Sequence, residues 1–415
     1  LGGHFDNEVA CWERAFAYES NREKLGEYLK DIPVRENEWD RRHVPYELAN
    51  AEHLAMSDSV GMINLSHFPI MDIEGPDAEQ MLEYLSAAKV GGNTPIGKVI
   101  YTNFLDEDGG VHADLTISRL AENKYRIVTG GADGNRDWVV LRNYRDDMGL
   151  DADINIRTHD IATLGLWGPD AEAALGNFVD PDEINLANFP FVTAKNLTLN
   201  LSGGKKVDVW AARISYVGES GWEIYLNNNS EEGLALYDSL LEVGVIPVGI
   251  ETYANSRRLE KSFRLQGADL ETEYNACEAA IQRPLVKEAD FHGKAAHLTQ
   301  REEEPCSILC TMTADDLNVS GETRYPVGIS PIIDPDTGEV PVDNKGRRSY
   351  TTGMSYCPSI KEFVVMGYLP KDIAKEGKKL SIEYFNEDGD GLYPMTVKIV
   401  GKGSLYDPKN EKVRT

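Results

Sequence analysis

Tyr101 to Leu120 reads YTNFLDEDGGVHADLTISRL, and its reading sets the fold of the region around it. Tyr101, Asn103 and Leu105 alternate with Thr102 and Phe104, the two-residue period of a strand. Asp106-Glu107-Asp108-Gly109-Gly110 is an acidic tight turn whose glycines accept positive φ. Strand pattern resumes at Val111 and carries one carboxylate at its middle, Asp114, between Ala113 and Leu115. Such a group is costly to bury alone. On spacing, Asp114 is either on the wet face of an edge strand or held in a pocket to bind or activate an amine.

Working outward, Met71-Asp72-Ile73-Glu74 is a strand, Gly75-Pro76 a turn, and Asp77 to Tyr84 a helix start. The Gly-Pro-Asp-Ala-Glu of 75–79 recurs at 168–172, again after an apolar strand, Thr163 to Trp167. Two such units indicate two related halves. Lys124 to Thr129, Phe191 to Leu201 and Val207 to Ile214 read as strands. Helices are expected over Glu8 to Leu29, over Pro45 to Gly61, through Trp138 and Leu141, and over Glu231 to Val243. The charged Arg301-Glu302-Glu303-Glu304-Pro305-Cys306-Ser307 marks a boundary. Beyond it, short strands are expected at Ile308–Met312, Gly338–Val342, Ser349–Met354, Phe363–Gly367, Leu380–Tyr384 and Met395–Val400. The domains are therefore 1–45, an extension; 46–300, two related and interleaved subdomains; and 301–415, β-rich.

The chain has 415 residues and a net charge of −27. That acidity argues against nucleic acid and anionic membrane surfaces, which need basic footprints. It suits a soluble protein, whether from a saline or an ordinary setting. Five scattered cysteines and no basic-apolar leader point to a reducing, cytoplasmic location. No apolar run is long enough to span a membrane. His67 and His112 have no partners at metal-ligand spacing, and no phosphate loop or dinucleotide fingerprint occurs.

A second acidic candidate is Glu219 in RISYVGESGWEIYL, Arg213 to Leu226, flanked by Gly218 and Gly221, with Tyr216 just ahead. An ionised carboxylate accepts two parallel N–H bonds, which suits a planar heterocycle; a solvated turn is the plainer reading. A third is Ser256-Arg257-Arg258-Leu259-Glu260-Lys261, a charged helix face or an arginine for an anionic tail or a buried carboxylate.

Taken in order, VGMINLSHF, IEGPDA, the Tyr101 hairpin, RISYVGESGWEIYL, RRLEKSFRLQGADL, DFHGKAA and TTGMSYCPSIKEFVVMGYLP resemble the folate-binding aminomethyltransferase family, which includes the glycine cleavage T-proteins. The resemblance implies an α+β fold, with three domains in a ring around a central folate pocket. Two N-terminal domains contain both helix and strand, and the C-terminal one is a β-rich, barrel or jelly-roll-like domain. It implies that Asp114 lies beside the folate amine, deprotonating or orienting it and stabilising a cationic one-carbon intermediate. It further implies that Glu219 anchors the pterin and that Tyr101 lines the pocket. Tyr216 and Arg258 complete the expected binding set.

T-proteins carry an arginine where this chain has Ala254, so a glycine-cleavage substrate is in question. Arg258-Leu259-Glu260-Lys261 and Trp222 are more similar to the folate half of sarcosine and dimethylglycine dehydrogenases. The expected activity is tetrahydrofolate-dependent transfer of a one-carbon group from a small methylated amine. The alternatives are a sulfonium or aryl methyl ether demethylase, the folate-accepting subunit of a flavin amine oxidase, a T-protein, or a folate-binding regulator without turnover. A lipoyl carrier protein or a flavoprotein subunit is the protein partner such relatives imply.

Overall fold

The structure is a computed structural model that describes residues 1–7, 13–32, 45–228, 230–314, 318–319, 322–323, 329–384, 391–398 and 404–414. Three sheets organise it. The first has five antiparallel strands in the order Val99–Leu105, Val111–Ala121, Lys124–Thr129, Ile70–Glu74, Asp153–Ile156. Its hairpin turns where the sequence predicts: Asp106 Oδ1 accepts from the amides of Asp108 (3.0 Å) and Gly110 (2.7 Å), and Gly109 has φ +79°. From Val111 to Ile117, buried residues alternate with partly open ones. One face packs on the helices Ala78–Leu85 and Gly134–Met148 through Met81, Leu82, Leu85, Leu141, Ile73, Ile117 and Ile127. Asp114, Asn103, Asp72 and Arg126 alternate with these core residues and so lie on the other face.

The second sheet runs Ala194–Asn200, Lys206–Ala212, Gly221–Asn227, Ile161–Trp167, Gly61–Asn64, Ile246–Pro247. Leu164, Leu166, Trp222, Ile224 and Leu226 turn to a core closed by the Ser230–Glu242 helix. Gly165, Trp167, Glu223 and Tyr225 take the opposite face.

The repeated Gly-Pro-Asp-Ala-Glu joins strand to helix in both sheets for the same reason. Gly75 and Gly168 have φ +146° and +138°, and a Cβ there would lie 2.5 Å from Asp151 O and 2.1 Å from Ser59 O. Only glycine fits. Asp77 and Asp170 then stand at the N-terminal ends of the helices Ala78–Leu85 and Ala171–Leu175 in nearly the same backbone conformation.

The third sheet, of six strands, runs Ile332–Ile333, Lys379–Tyr384, Gly391–Lys398, Ser307–Ala314, Glu362–Pro370, Thr351–Cys357. No closed barrel forms among the described residues: the two edges of this ladder meet only at the Pro331–Tyr350 bridge, with Ile332 N to Ser349 O (3.1 Å) and Thr351 N to Ser330 O (2.9 Å) beside it. The mixed helix and strand content otherwise agrees with the α+β expectation.

Four local expectations change. Glu13–Tyr18 is a strand paired with Gly3–Asn7, not part of a helix; residues 8–12 lie outside the described residues. Phe16 and Ala17 face the interior, Phe16 edge-on to Tyr46 at 5.0 Å, and this long-range packing overrides the helical spacing of Trp12, Ala15 and Phe16. The charged linker from Arg301 begins as the last turn of the Lys294–Glu302 helix. Gly338–Val342 makes isolated bridges only. Thr252–Arg257 is a π-helical turn running into Arg258–Glu260; Arg257 therefore pairs with Glu260, and Lys261 turns away to other partners.

Glu52, inside the Tyr46–Asp58 helix, fastens the N-terminal strand to the body. Its carboxylate accepts from Tyr18 N (2.7 Å), Asn21 Nδ2 (2.7 Å) and Gly249 N (2.8 Å). Glu52→Ala strands three interior donors at once. We expect a loss of roughly 3 kcal/mol, read as a lower denaturant midpoint with an unchanged slope.

Candidate functional site

The site grows from the cross-strand pair Asn103–Asp114. The Val111–Ala121 strand lies between two neighbours, so the edge-strand reading of Asp114 is excluded. Asn103 Nδ2 donates to Asp114 Oδ1 at 2.7 Å, and the nearby Tyr101 hydroxyl favours the ionised form of the same carboxylate. Tyr101 keeps 45% of its surface open, yet surrounding protein raises its hydroxyl pKa well above 10. A side chain enclosed in bulk but open in surface lines the wall of a hollow. Desolvation there raises Asp114 to about 7, opposed by the Tyr101 and Asn103 hydrogen bonds and by the charge of Arg264.

Aromatic rings continue the wall. Tyr253 is their hub, with ring centroids 5.1 Å from Tyr216, 5.8 Å from Phe68 and 5.8 Å from Trp167. Tyr216 stacks on Phe263 at 5.7 Å and donates to Arg264 O at 2.7 Å. Burial raises the Tyr216 hydroxyl, and the charges of Arg258, Asp269, Asp114 and Arg264 all act on it. Beyond Tyr253 lies Glu223, 6% exposed, its pKa raised by burial to about 7. The Tyr225 hydroxyl donates to Glu223 Oε2, the one hydrogen bond to this carboxyl among the described residues.

Glu219 is not a solvated turn residue: it is 2% exposed. Its Oε1 accepts from Arg257 Nη2 (2.5 Å) and from the Tyr406 hydroxyl (2.9 Å). Arg257 also holds Glu260 at 2.8 Å, and His53 Nε2 stands 3.2 Å from Glu260. Tyr406 covers the Arg257 guanidinium at 4.7 Å. Lys261 ties the same segment down through Asp407 O (2.9 Å) and Asn410 Oδ1 (2.7 Å). Glu219 thus belongs to a closed ion cluster, not to the aromatic wall. Arg258 is a strut as well. It is 1% exposed, donates to Ala254 O at 2.9 Å, and pairs with Asp269 between the π-helical turn and the third sheet. It is buried with its donors engaged, and its charge acts on the Tyr216 hydroxyl. The structure brings Asp114, Tyr101 and Tyr216 together, with Arg258 buried near Tyr216, and holds Glu219 in the ion cluster.

Sequence reasoning missed Glu223, Tyr253 and Arg264. Glu223 was legible in part: it sits one strand period from Tyr225 and out of phase with Trp222 and Ile224. Tyr253 and Arg264 lie in irregular backbone, where no period marks a direction.

A cleft of about 580 Å³ opens elsewhere along the seam, lined by Arg126, Arg157, Trp210 and Tyr225. Asp72 binds both of those arginines (2.8 and 3.3 Å), so its carboxylate is spent. The chemistry concentrates at Asp114.

Residues 2–288 match the family described as the GCVT N-terminal domain. The chain belongs to that family. It is 30% identical over 369 residues to the mitochondrial dimethylglycine dehydrogenase of Rattus norvegicus, which covers 86% of this chain and 39% of that protein. It is 29% identical over 349 residues to the aminomethyltransferase of Symbiobacterium thermophilum, covering 82% and 86%. The chain therefore spans about two fifths of the length of the dehydrogenase, and most of the aminomethyltransferase. The fold matches the crystal structure of glycine cleavage system aminomethyltransferase T from Bartonella henselae, with a TM-score of 0.73 and 21% identity over 96% of this chain and 94% of that one. Among the described residues, no cluster suits a metal and no helix is long and apolar enough to cross a membrane; the four described cysteines are free thiols.

The geometry makes Asp114 a carboxylate that changes charge near neutrality. A carboxyl titration followed by 13C NMR should show a midpoint near pH 7. Tyr101→Phe removes a hydrogen bond that favours the ionised form, so its midpoint moves upward. An unchanged or lower midpoint would mean that the hydroxyl does not hold Asp114.

Proposed function

We propose that this family member is a tetrahydrofolate-dependent one-carbon transferase acting on a small methylated amine. The observation that carries the reading is Asp114: a carboxylate with a near-neutral pKa, held by Tyr101 and Asn103 on the wall of an aromatic hollow.

The residues present fit a folate. Tyr216 and Tyr253 offer rings for a flat heterocycle, and Glu223 beside Tyr253 has its Oε2 bound by Tyr225 and no hydrogen bond to Oε1 among the described residues. Glu223 is therefore assigned the pterin, in place of Glu219, whose Oε1 is engaged by Arg257 and Tyr406. When bound, tetrahydrofolate supplies an amine nitrogen that takes up the one-carbon unit. Asp114, once ionised, either accepts a proton from an amine held against it or, while it stays ionised, stabilises a cationic carbon–nitrogen group by its charge. Tyr101 and Asn103 hold the carboxylate in one direction while leaving it basic enough to work near pH 7. A carboxylate beside a nascent cation favours N-methyl donors over ethers, whose leaving oxygen gains negative charge.

The match to two fifths of a dimethylglycine dehydrogenase supports a second reading: this chain is the folate-accepting part of a system whose oxidation step resides on a flavoprotein. Free thiols favour a reducing compartment such as the cytoplasm for either reading.

Calorimetric titration with tetrahydrofolate tests the assignment. Glu223→Ala should weaken binding about tenfold or more, the loss of one charge-assisted contact. Asp114→Asn should keep affinity within a few fold while turnover of a methylated amine falls about a hundredfold or more. Glu219→Ala should act on thermal stability, because it leaves Arg257 short of a partner. Absence of binding heat in the unaltered chain would refute the transferase reading.

A further inference from the structure

The chain holds 69 acidic residues against 42 lysines and arginines, and its interior guanidiniums commonly find carboxylates. Arg257 pairs with Glu219 and Glu260, Arg258 with Asp269, Arg126 with Asp72, and Arg347 with Glu278 and Asp343. Arg264 and Arg283, both half-buried, break this pattern at the hollow: neither has an acidic oxygen within 4.0 Å among the described residues.

Both are nevertheless held in place, and by neutral groups. Arg264 donates from Nε to Ala279 O (3.0 Å) and from Nη1 to Ser262 O (2.6 Å), and its Nη2 has no hydrogen bond among the described residues. Arg283 donates from Nη2 to Tyr101 O, on the strand that carries Tyr101 and Asn103. Two residues past Arg264, Gln266 Nε2 reaches His112 O (3.3 Å), so this segment runs beside the strand that bears Asp114. Arg264 and Arg283 both lie in the field of Asp114 and Tyr101, yet neither closes onto Asp114. Carbonyls that fix a guanidinium without neutralising it leave its charge for an incoming anion. Burial of such a charge is unfavourable until the anion arrives.

We propose that Arg264 and Arg283 form a carboxylate subsite on the rim of the hollow beside Asp114. It extends the function proposed above. The carboxylate has two sources that share one chemistry: the glutamyl end of a folate, or the acid group of a methylated amino acid whose nitrogen faces Asp114.

Paired ligands separate the sources by calorimetry on the full chain. Tetrahydrofolate is compared with 6-methyltetrahydropterin, which lacks the glutamyl end. N,N-dimethylglycine is compared with its amide, which keeps the amine and loses the charge. The unaltered chain should favour the acid of at least one pair. Arg264→Gln and Arg283→Gln should each weaken that acid about tenfold and leave its uncharged counterpart within twofold; Arg264→Lys should recover part of the loss. A change in the folate pair assigns the glutamyl end, and a change in the glycine pair assigns the donor. Equal losses for acid and counterpart, or no loss for either, overturn the subsite. Thermal midpoints check folding; if Arg264→Gln does not fold, Arg283→Gln, at the open rim, decides. If neither pterin binds, the folate reading fails, and the dimethylglycine pair alone judges the subsite.

Discussion

Two sheets that each spend one face on their own helices must do something with the other. In this chain the remaining faces carry groups that cannot be stacked flat against one another: Asp114, Asn103, Asp72 and Arg126 from the first, Glu223 and Tyr225 from the second. Where opposite charges meet directly, as Asp72 does with Arg126 and Arg157, the seam closes. Where they do not, rings and carboxylates face open space. The hollow follows from that division between matched and unmatched polar groups, with Tyr253 of the π-helical turn on its wall.

Much of this was legible in advance because it depends on short-range rules. A two-residue period, an acidic diglycine turn and a repeated Gly-Pro-Asp-Ala-Glu are local signatures, and each forms as read. The third of these has the sharpest cause, since a side chain at either Gly75 or Gly168 would strike a carbonyl of another segment. Glu13–Tyr18 was not legible: its strand exists through pairing with Gly3–Asn7 and through the burial of Phe16, neither of which leaves a periodic trace. The closed ion cluster was equally invisible, because Glu219 and its partner Tyr406 are 187 positions apart.

The two glutamates of Gly218-Glu219-Ser220-Gly221-Trp222-Glu223 carry a broader lesson. A carboxylate between glycines draws the eye, since glycine permits close approach. Here Gly218 serves the neighbour instead: a Cβ on it would lie 2.6 Å from the Lys261 side chain. Four residues on, in regular strand, pleat direction alone sends Glu223 toward Tyr253. A functional carboxylate is found by asking which face it occupies and what already engages it, and the flanking glycines answer neither question.

The clamp on Glu219 has a kinetic meaning. Arg257, Lys261 and Glu219 can be in place while the segment from Ser404 to Arg414 is still unattached, and until Tyr406 arrives the cluster lacks its cover and one of its donors. Closing a loop of that length is slow and entropically opposed, and its reward comes only on docking. The two sheets can therefore assemble early, with the Tyr406 segment as the last piece to seat. That late piece works as a latch, whose closure marks the passage from a collapsed chain to a finished one.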